Sequence, residues 1–172
     1  MCIIIDTCSL SSVFERLNSD HLEFIPVLEW IMIGKGKIIL GGTKYTEELG
    51  AKYRSIILQL DMAGKVVKMS KDEVDEIQKE IEEEASQRDL KDFDDPHLIA
   101  LVIVSKCQLI CTHDKRSFPF LTDKTLYPSH IKKPKLYTGA QNSNLLNDKL
   151  IVEICKPTKR GSSKELQQNF GF

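Results

Sequence analysis

The chain has 172 residues, 41% hydrophobic and 28% charged, with a formal net charge of −1 at pH 7. This is the composition of one globular domain of ordinary size, and it excludes a disordered or fibrous chain. No apolar run approaches the roughly 20 residues of a bilayer span, and Met1-Cys2-Ile3-Ile4-Ile5-Asp6 lacks the basic region of a signal peptide, so a cytoplasmic protein without membrane contact is expected.

In chain order, Cys2 to Ile5 reads as a short buried strand that ends at Asp6. A helix follows, capped by Asp6 or Ser9 and carrying Leu10, Val13, Phe14 and Leu17; it stops at Asn18-Ser19-Asp20. A second helix is expected from near Pro26 to Gly34. Lys37 to Leu40 is the next strand, and Thr43 or Thr46 caps one long helix that runs through Tyr45, Leu49, Tyr53, Ile57 and Leu60 to Gly64, with Glu47 and Glu48 in its first turn. Lys65 to Lys68 is a third strand. Ser70 and Glu73 have the spacing of a capping box ahead of a surface helix with Val74, Ile77, Ile81 and Ala85 as its apolar stripe.

Pro96, with its φ preset for a first helical position, puts Asp95 on an N-cap before the apolar run from Leu98 to Val104. Leu109 to Cys111 is a strand buried on both faces, and the chain turns polar at Asp114, with Lys115 and Arg116 beside it. Lys135 to Thr138 is a fifth strand, Ser143 to Leu146 a short helix, and Ile151 to Cys155 an edge strand. Residues 1–155 make the domain; 156–172 read as a flexible basic tail, or as a docking peptide through Leu166 and its terminal aromatics. The five cysteines, at 2, 8, 107, 111 and 155, form no CxxC pair, and their odd number argues against a disulfide framework or a zinc site.

Helices alternating with uniformly apolar strands imply an α/β protein, a three-layer α/β/α sandwich with a mostly parallel central sheet. In such sheets sites form beyond the carboxyl ends of the strands. Asp6 and Asp114 each follow a strand, while Glu47 or Glu48 and Asp95 each open a helix, so right-handed crossovers bring four acids toward one edge. Taken singly, each has a plain structural reading: a cap for Asp95, a turn for Asp114, dipole compensation for the two glutamates. Together they repel one another, which a hard divalent ion such as Mg²⁺ or Mn²⁺ relieves while completing its shell with water and phosphate. Charge is uneven in the same sense. Between Lys71 and Asp95 there are twelve acids to four bases, and from Lys115 onward eleven bases to four acids, a distribution suited to a polyanionic partner. Metal with phosphate points to phosphodiester hydrolysis.

The ordered fragments Ile4-Ile5-Asp6-Thr7, Thr46-Glu47-Glu48-Leu49, Asp95 through Ala100, and Thr112-His113-Asp114 with Phe118 resemble the PIN domain nucleases, including the stand-alone proteins and bacterial toxins of that family; the likeness runs from Cys2 to about Tyr137. It implies a PIN-like fold and a metal-dependent endoribonuclease in which Asp6, Glu48, Asp95 and Asp114 bind Mg²⁺ or Mn²⁺. The family's second acid usually precedes a leucine, which favours Glu48 over Glu47. Thr7 and Thr112 match supporting hydroxyls, Asp94 is an auxiliary acid, and Lys115 and Arg116 are candidate phosphate contacts. The resemblance also implies RNA as substrate, an antitoxin or other protein partner, and a homodimer. Its alternative is a non-catalytic PIN-like module that binds RNA or protein. Cys8 stands where the family often has serine and His113 where asparagine is frequent, and the charged helix after Lys71 makes the chain longer than a minimal toxin.

Overall fold

The structure is a computed structural model that describes residues 2–147, 152–156, 162 and 164–172. Five strands, β1 (Cys2–Ile5), β2 (Lys37–Leu40), β3 (Val66–Lys68), β4 (Leu109–Cys111) and β5 (Lys135–Tyr137), form one parallel sheet in the order β3-β2-β1-β4-β5. Ile4 stands opposite both Ile39 of β2 and Ile110 of β4. The three central strands are apolar apart from Lys37 at the start of β2, because both of their faces are covered, whereas the edge strands β3 and β5 carry Lys68 and Lys135.

Helices fill every crossover. They are α1 (Leu10–Phe14) and α2 (His21–Met32) after β1, α3 (Thr43–Glu48) and α4 (Ala51–Met62) after β2, α5 (Lys71–Gln87) and α6 (Pro96–Ser105) after β3, and α7 (Phe118–Leu121) after β4. The helix α1 packs on α2; α5 packs on α6, which lies against β1 and β2 and touches α3. This is an α/β fold compatible with helices layered on both faces of the sheet. The chain winds outward from β1 to β3, then returns past β1 to β4 and winds the other way. The switch point therefore lies between β1 and β4, the crevice where sheets of this kind bind ligands. Among the described residues no helix is long and apolar enough to cross a membrane.

Several elements differ from their sequence-level expectation. The helix expected from Pro26 begins at His21, with Pro26 inside it; Asn18 starts it early by accepting the Asp20 amide (2.8 Å) on its side chain. Leu17 lies beyond α1 and is fully exposed. The single helix expected to Gly64 is two, because Leu49 turns extended to bury its side chain and Gly50 is a poor helix former. Gly42, at φ 81, makes the turn from β2 into α3, where a Cβ would meet Val74 Cγ1 at 2.6 Å. In place of an edge strand, Glu153–Cys155 is a 3-10 turn, Ile151 lying outside the described residues, and Ala140–Leu145 is likewise 3-10.

Against the expectation drawn from the odd cysteine count, Cys2 and Cys155 are joined as a disulfide with Cα atoms 6.1 Å apart, a pairing that 153 residues of separation hid. Of the tail expected to be flexible, residues 157–161 and 163 lie outside the described residues. The helix α8 (Lys164–Asn169) buries Leu166, and Phe170 packs on Phe14 with ring centroids 5.9 Å apart.

Tyr45 of α3 is fully buried, and its hydroxyl donates to the carbonyl of Ile5 (2.6 Å), tying α3 to the end of β1. Tyr45→Phe leaves that carbonyl without its donor and is expected to cost about 1.5 kcal/mol, read from the denaturant midpoint at unchanged slope.

Candidate functional site

Asp6 leaves β1 at the switch point. Its amide donates to the Cys111 carbonyl (2.9 Å), so the backbone ladder to β4 reaches the residue whose side chain turns into the crevice. That buried carboxylate accepts from the Cys8 amide (3.2 Å) and from Thr112 Oγ1 (2.7 Å). Thr112 Oγ1 in turn accepts the amide of Asp114 (3.1 Å). One hydroxyl beyond β4 thus positions two acids from different strands.

Glu48 arrives from β2 by way of α3. Thr7 Oγ1 donates to Glu48 Oε2 (2.7 Å), Lys44 Nζ stands 3.4 Å from Oε1, and His97 Nε2 3.6 Å from Oε2. Both glutamates were expected in a first helical turn, but α3 starts at Thr43 and they fall at its end, where the helix dipole disfavours a carboxylate. Dipole compensation therefore does not account for them. Glu47 is exposed and lines a different cleft, with Leu40, Thr43, Lys68 and Met69.

Asp95 occupies the N-cap position of α6, yet its side chain makes no capping hydrogen bond. Burial, followed by the charges of Asp6, Asp94, Asp114 and Glu48, pushes its pKa up to about 7. Asp94 is exposed, and its charge contributes to the shift of Asp95. The pKa of Asp114 is lowered, chiefly by the Arg116 side chain, whose Nη2 and Nε reach its two oxygens at 2.7 and 3.1 Å. Arg116, expected to face phosphate, thus lies on a carboxylate, although its side chain is 71% exposed. Lys115 is exposed at the same turn.

Further residues hold this edge together. Ser9 Oγ accepts the His113 amide (3.0 Å), and Ser12 Oγ lies 3.3 Å from His113 Nδ1, fastening the turn before Asp114 to α1. Burial and the nearby Asp6 charge push the Cys8 thiol up to about 12, so it carries no thiolate at neutral pH. His97 is buried, and burial lowers its pKa, leaving the imidazole neutral at pH 7. Sequence reading missed the roles of Ser9, Ser12, Tyr45 and His97. Only His97 left a trace there, as a polar ring on an otherwise apolar helix.

Among the described residues no three His, Cys, Asp or Glu side chains converge closely enough to hold an ion as they stand. Asp114 is engaged by Arg116, and Glu48 by Thr7 and Lys44, the partners that carboxylates take when protein donors are the only counter-charge. The donors are nonetheless of the type a hard divalent cation takes, oxygen atoms from separate segments, and burial together with the neighbouring acids raises the Asp95 pKa to about 7. Compared with protein-family models, with curated proteins and with solved structures, the chain finds no match.

Proposed function

We propose that this chain is a PIN-like, three-layer α/β/α endonuclease that hydrolyses phosphodiester bonds, in single-stranded or structured RNA, with Mg²⁺ or Mn²⁺ as cofactor. The observation that carries the reading is Asp95, an uncapped, half-buried acid on which the charges of Asp6, Glu48, Asp94 and Asp114 all act, at the switch point of a parallel sheet. A structural cap would have its hydrogen bond and no need of four neighbouring acids.

In this reading Asp6, Glu48, Asp95 and Asp114 hold the cation. When bound, it supplies an activated water and neutralises charge on the phosphate and the leaving oxygen. The chain's own work is positioning. Thr112 orients Asp6 through the 2.7 Å hydrogen bond, Thr7 orients Glu48, and Ser9 fixes the turn that carries Asp114. Arg116, released from Asp114, and Lys115 meet the nucleic-acid backbone, and the excess of bases beyond Lys115 attracts it. A toxin restrained by an antitoxin, acting as a homodimer in the cytoplasm, is the biological setting that the family resemblance suggests.

The second reading, a non-catalytic module that binds RNA or protein, is favoured by the Arg116–Asp114 ion pair, which neutralises one acid without any cation. Labelled single-stranded RNA and DNA incubated with Mg²⁺, Mn²⁺ or EDTA separate the two. The nuclease cuts RNA with the metals and stops in EDTA; binding without cutting under every condition supports the module.

A further inference from the structure

His97 is 1% exposed, and neither ring nitrogen has a hydrogen-bond partner among the described residues. Burying two polar atoms without partners costs stability relative to an apolar side chain of similar shape, a cost that leucine in the same space would not carry. The feature therefore calls for a reason beyond packing. The ring faces the Glu48 carboxylate, with Nε2 3.6 Å from Oε2, longer than a hydrogen bond.

Glu48 needs holding. It sits at the end of α3 just where Leu49 turns extended, so neither the helix nor its dipole fixes the side chain. Lys44, with its side chain 49% exposed, is a solvent-screened partner worth little. Thr7 anchors one oxygen from the Asp6 side. His97 is the buried, rigid neighbour, and it is itself held edge-on by the Tyr45 ring, centroids 6.3 Å apart, while the Tyr45 hydroxyl is bound to Ile5. The contacts close a circuit from β1 through Tyr45, His97, Glu48 and Thr7 back to Asp6. Through it, α6, which carries Asp95, is tied to the strand that carries Asp6.

We propose that His97 is the positioning residue of this site, aiming Glu48 into the carboxylate set so that the set binds a divalent cation. This rests on the proposed metal-dependent reading and extends it to a residue that touches neither substrate nor cation. Neighbours that orient a ligand in this way typically change metal affinity 10- to 100-fold when lost.

The test uses the full chain and Mn²⁺ alone, by calorimetric titration, with thermal melting in EDTA as the control for folding. His97→Leu is expected to lower Mn²⁺ affinity about 10-fold or more while its melting temperature in EDTA stays level or rises, since two unpaired polar atoms leave the interior. His97→Gln, which keeps a donor, is expected to recover most of the affinity. A purely structural histidine gives the reverse pattern: unchanged Mn²⁺ affinity in both variants, which overturns the proposal. In the native chain, Mg²⁺ is expected to move the imidazole ¹⁵N resonance of His97 and not that of His130; an unmoved His97 resonance in a protein that binds Mg²⁺ overturns it independently of either variant. If the native chain binds neither ion, the metal-dependent reading itself fails, and the positioning role with it.

Discussion

Asn in place of Asp6 is expected to reduce RNA cleavage by at least about 100-fold, since loss of groups that merely orient a metal ligand already costs 10–100-fold. The substitution is nearly isosteric. With the amide oxygen in the place of Oδ1 it still accepts from the Cys8 amide, while the amide nitrogen in the place of Oδ2 donates to Thr112 Oγ1 instead of accepting from it, and the backbone link from the turn out of β1 to β4 is retained. What disappears is one negative charge at the centre of the crevice. Thr112→Val, which leaves the charge but removes its orienting hydroxyl, is expected to fall between the native chain and Asp6→Asn. Initial cleavage rates at saturating Mn²⁺, beside circular-dichroism melts of each variant, distinguish loss of chemistry from loss of fold. Equal rates for the native chain and Asp6→Asn would remove Asp6 from the site.

Asp95→Asn is expected to stabilise the protein in EDTA at pH 8 by about 2 kcal/mol, and to leave stability at pH 4 nearly unchanged. The sign follows from the direction of the shift. The folded-state pKa, about 7, lies above the ordinary value of 3.8, so between those values the native chain holds a proton that the unfolded chain has released. Stability contributed by that proton is present at low pH and lost as pH rises toward 7. The full shift corresponds to about 4 kcal/mol; partial exposure of the side chain to screening solvent halves it. Asp114 runs the other way, because Arg116 depresses its pKa and stability is gained as pH rises through the acid range. The informative quantity is therefore the difference between native and Asp95→Asn chains at each pH, taken from denaturant midpoints. Saturating Mn²⁺ is expected to reverse it, the native chain becoming the more stable at pH 8. A variant no more stable than the native chain at pH 8 would mean that burial and the neighbouring acids do not raise the Asp95 pKa.

The parallel α/β architecture was legible because uniformly apolar strands such as Cys2–Ile5 and Leu109–Cys111 alternate with helices of clear amphipathic or apolar pattern. The placement of Asp6, Asp95 and Asp114 was legible for the same reason: each borders an apolar run, Asp6 and Asp114 beyond a strand and Asp95 ahead of a helix. Local signals failed where tertiary packing decided the outcome. Gly50 and the burial of Leu49 split one amphipathic stretch into α3 and α4, which moved Glu48 from the start of a helix to the end of one. Pro26 suggested a helix start, yet the Asn18 turn began α2 five residues earlier. The Cys2–Cys155 pair, the seating of Leu166 and the approach of His97 to Glu48 join positions far apart in the chain, and no spacing rule reaches them. The hydroxyls of Thr7 and Thr112 came only with the family resemblance; their hydrogen bonds to Glu48 and Asp6 are what the folded backbone adds.

The central claim, that Asp6, Glu48, Asp95 and Asp114 act as one cation site, is tested most directly by the melting temperature of the native chain and of Asp6→Asn across a Mn²⁺ series. A ligand bound only by the native state adds about 2.7 kcal/mol at 100 times its dissociation constant, roughly 5–10 °C for a domain of this size. The expected result is a concentration-dependent rise of that order for the native chain and little or none for Asp6→Asn. A native chain that melts at one temperature throughout the series, or a rise that Asp6→Asn fully reproduces, would contradict it.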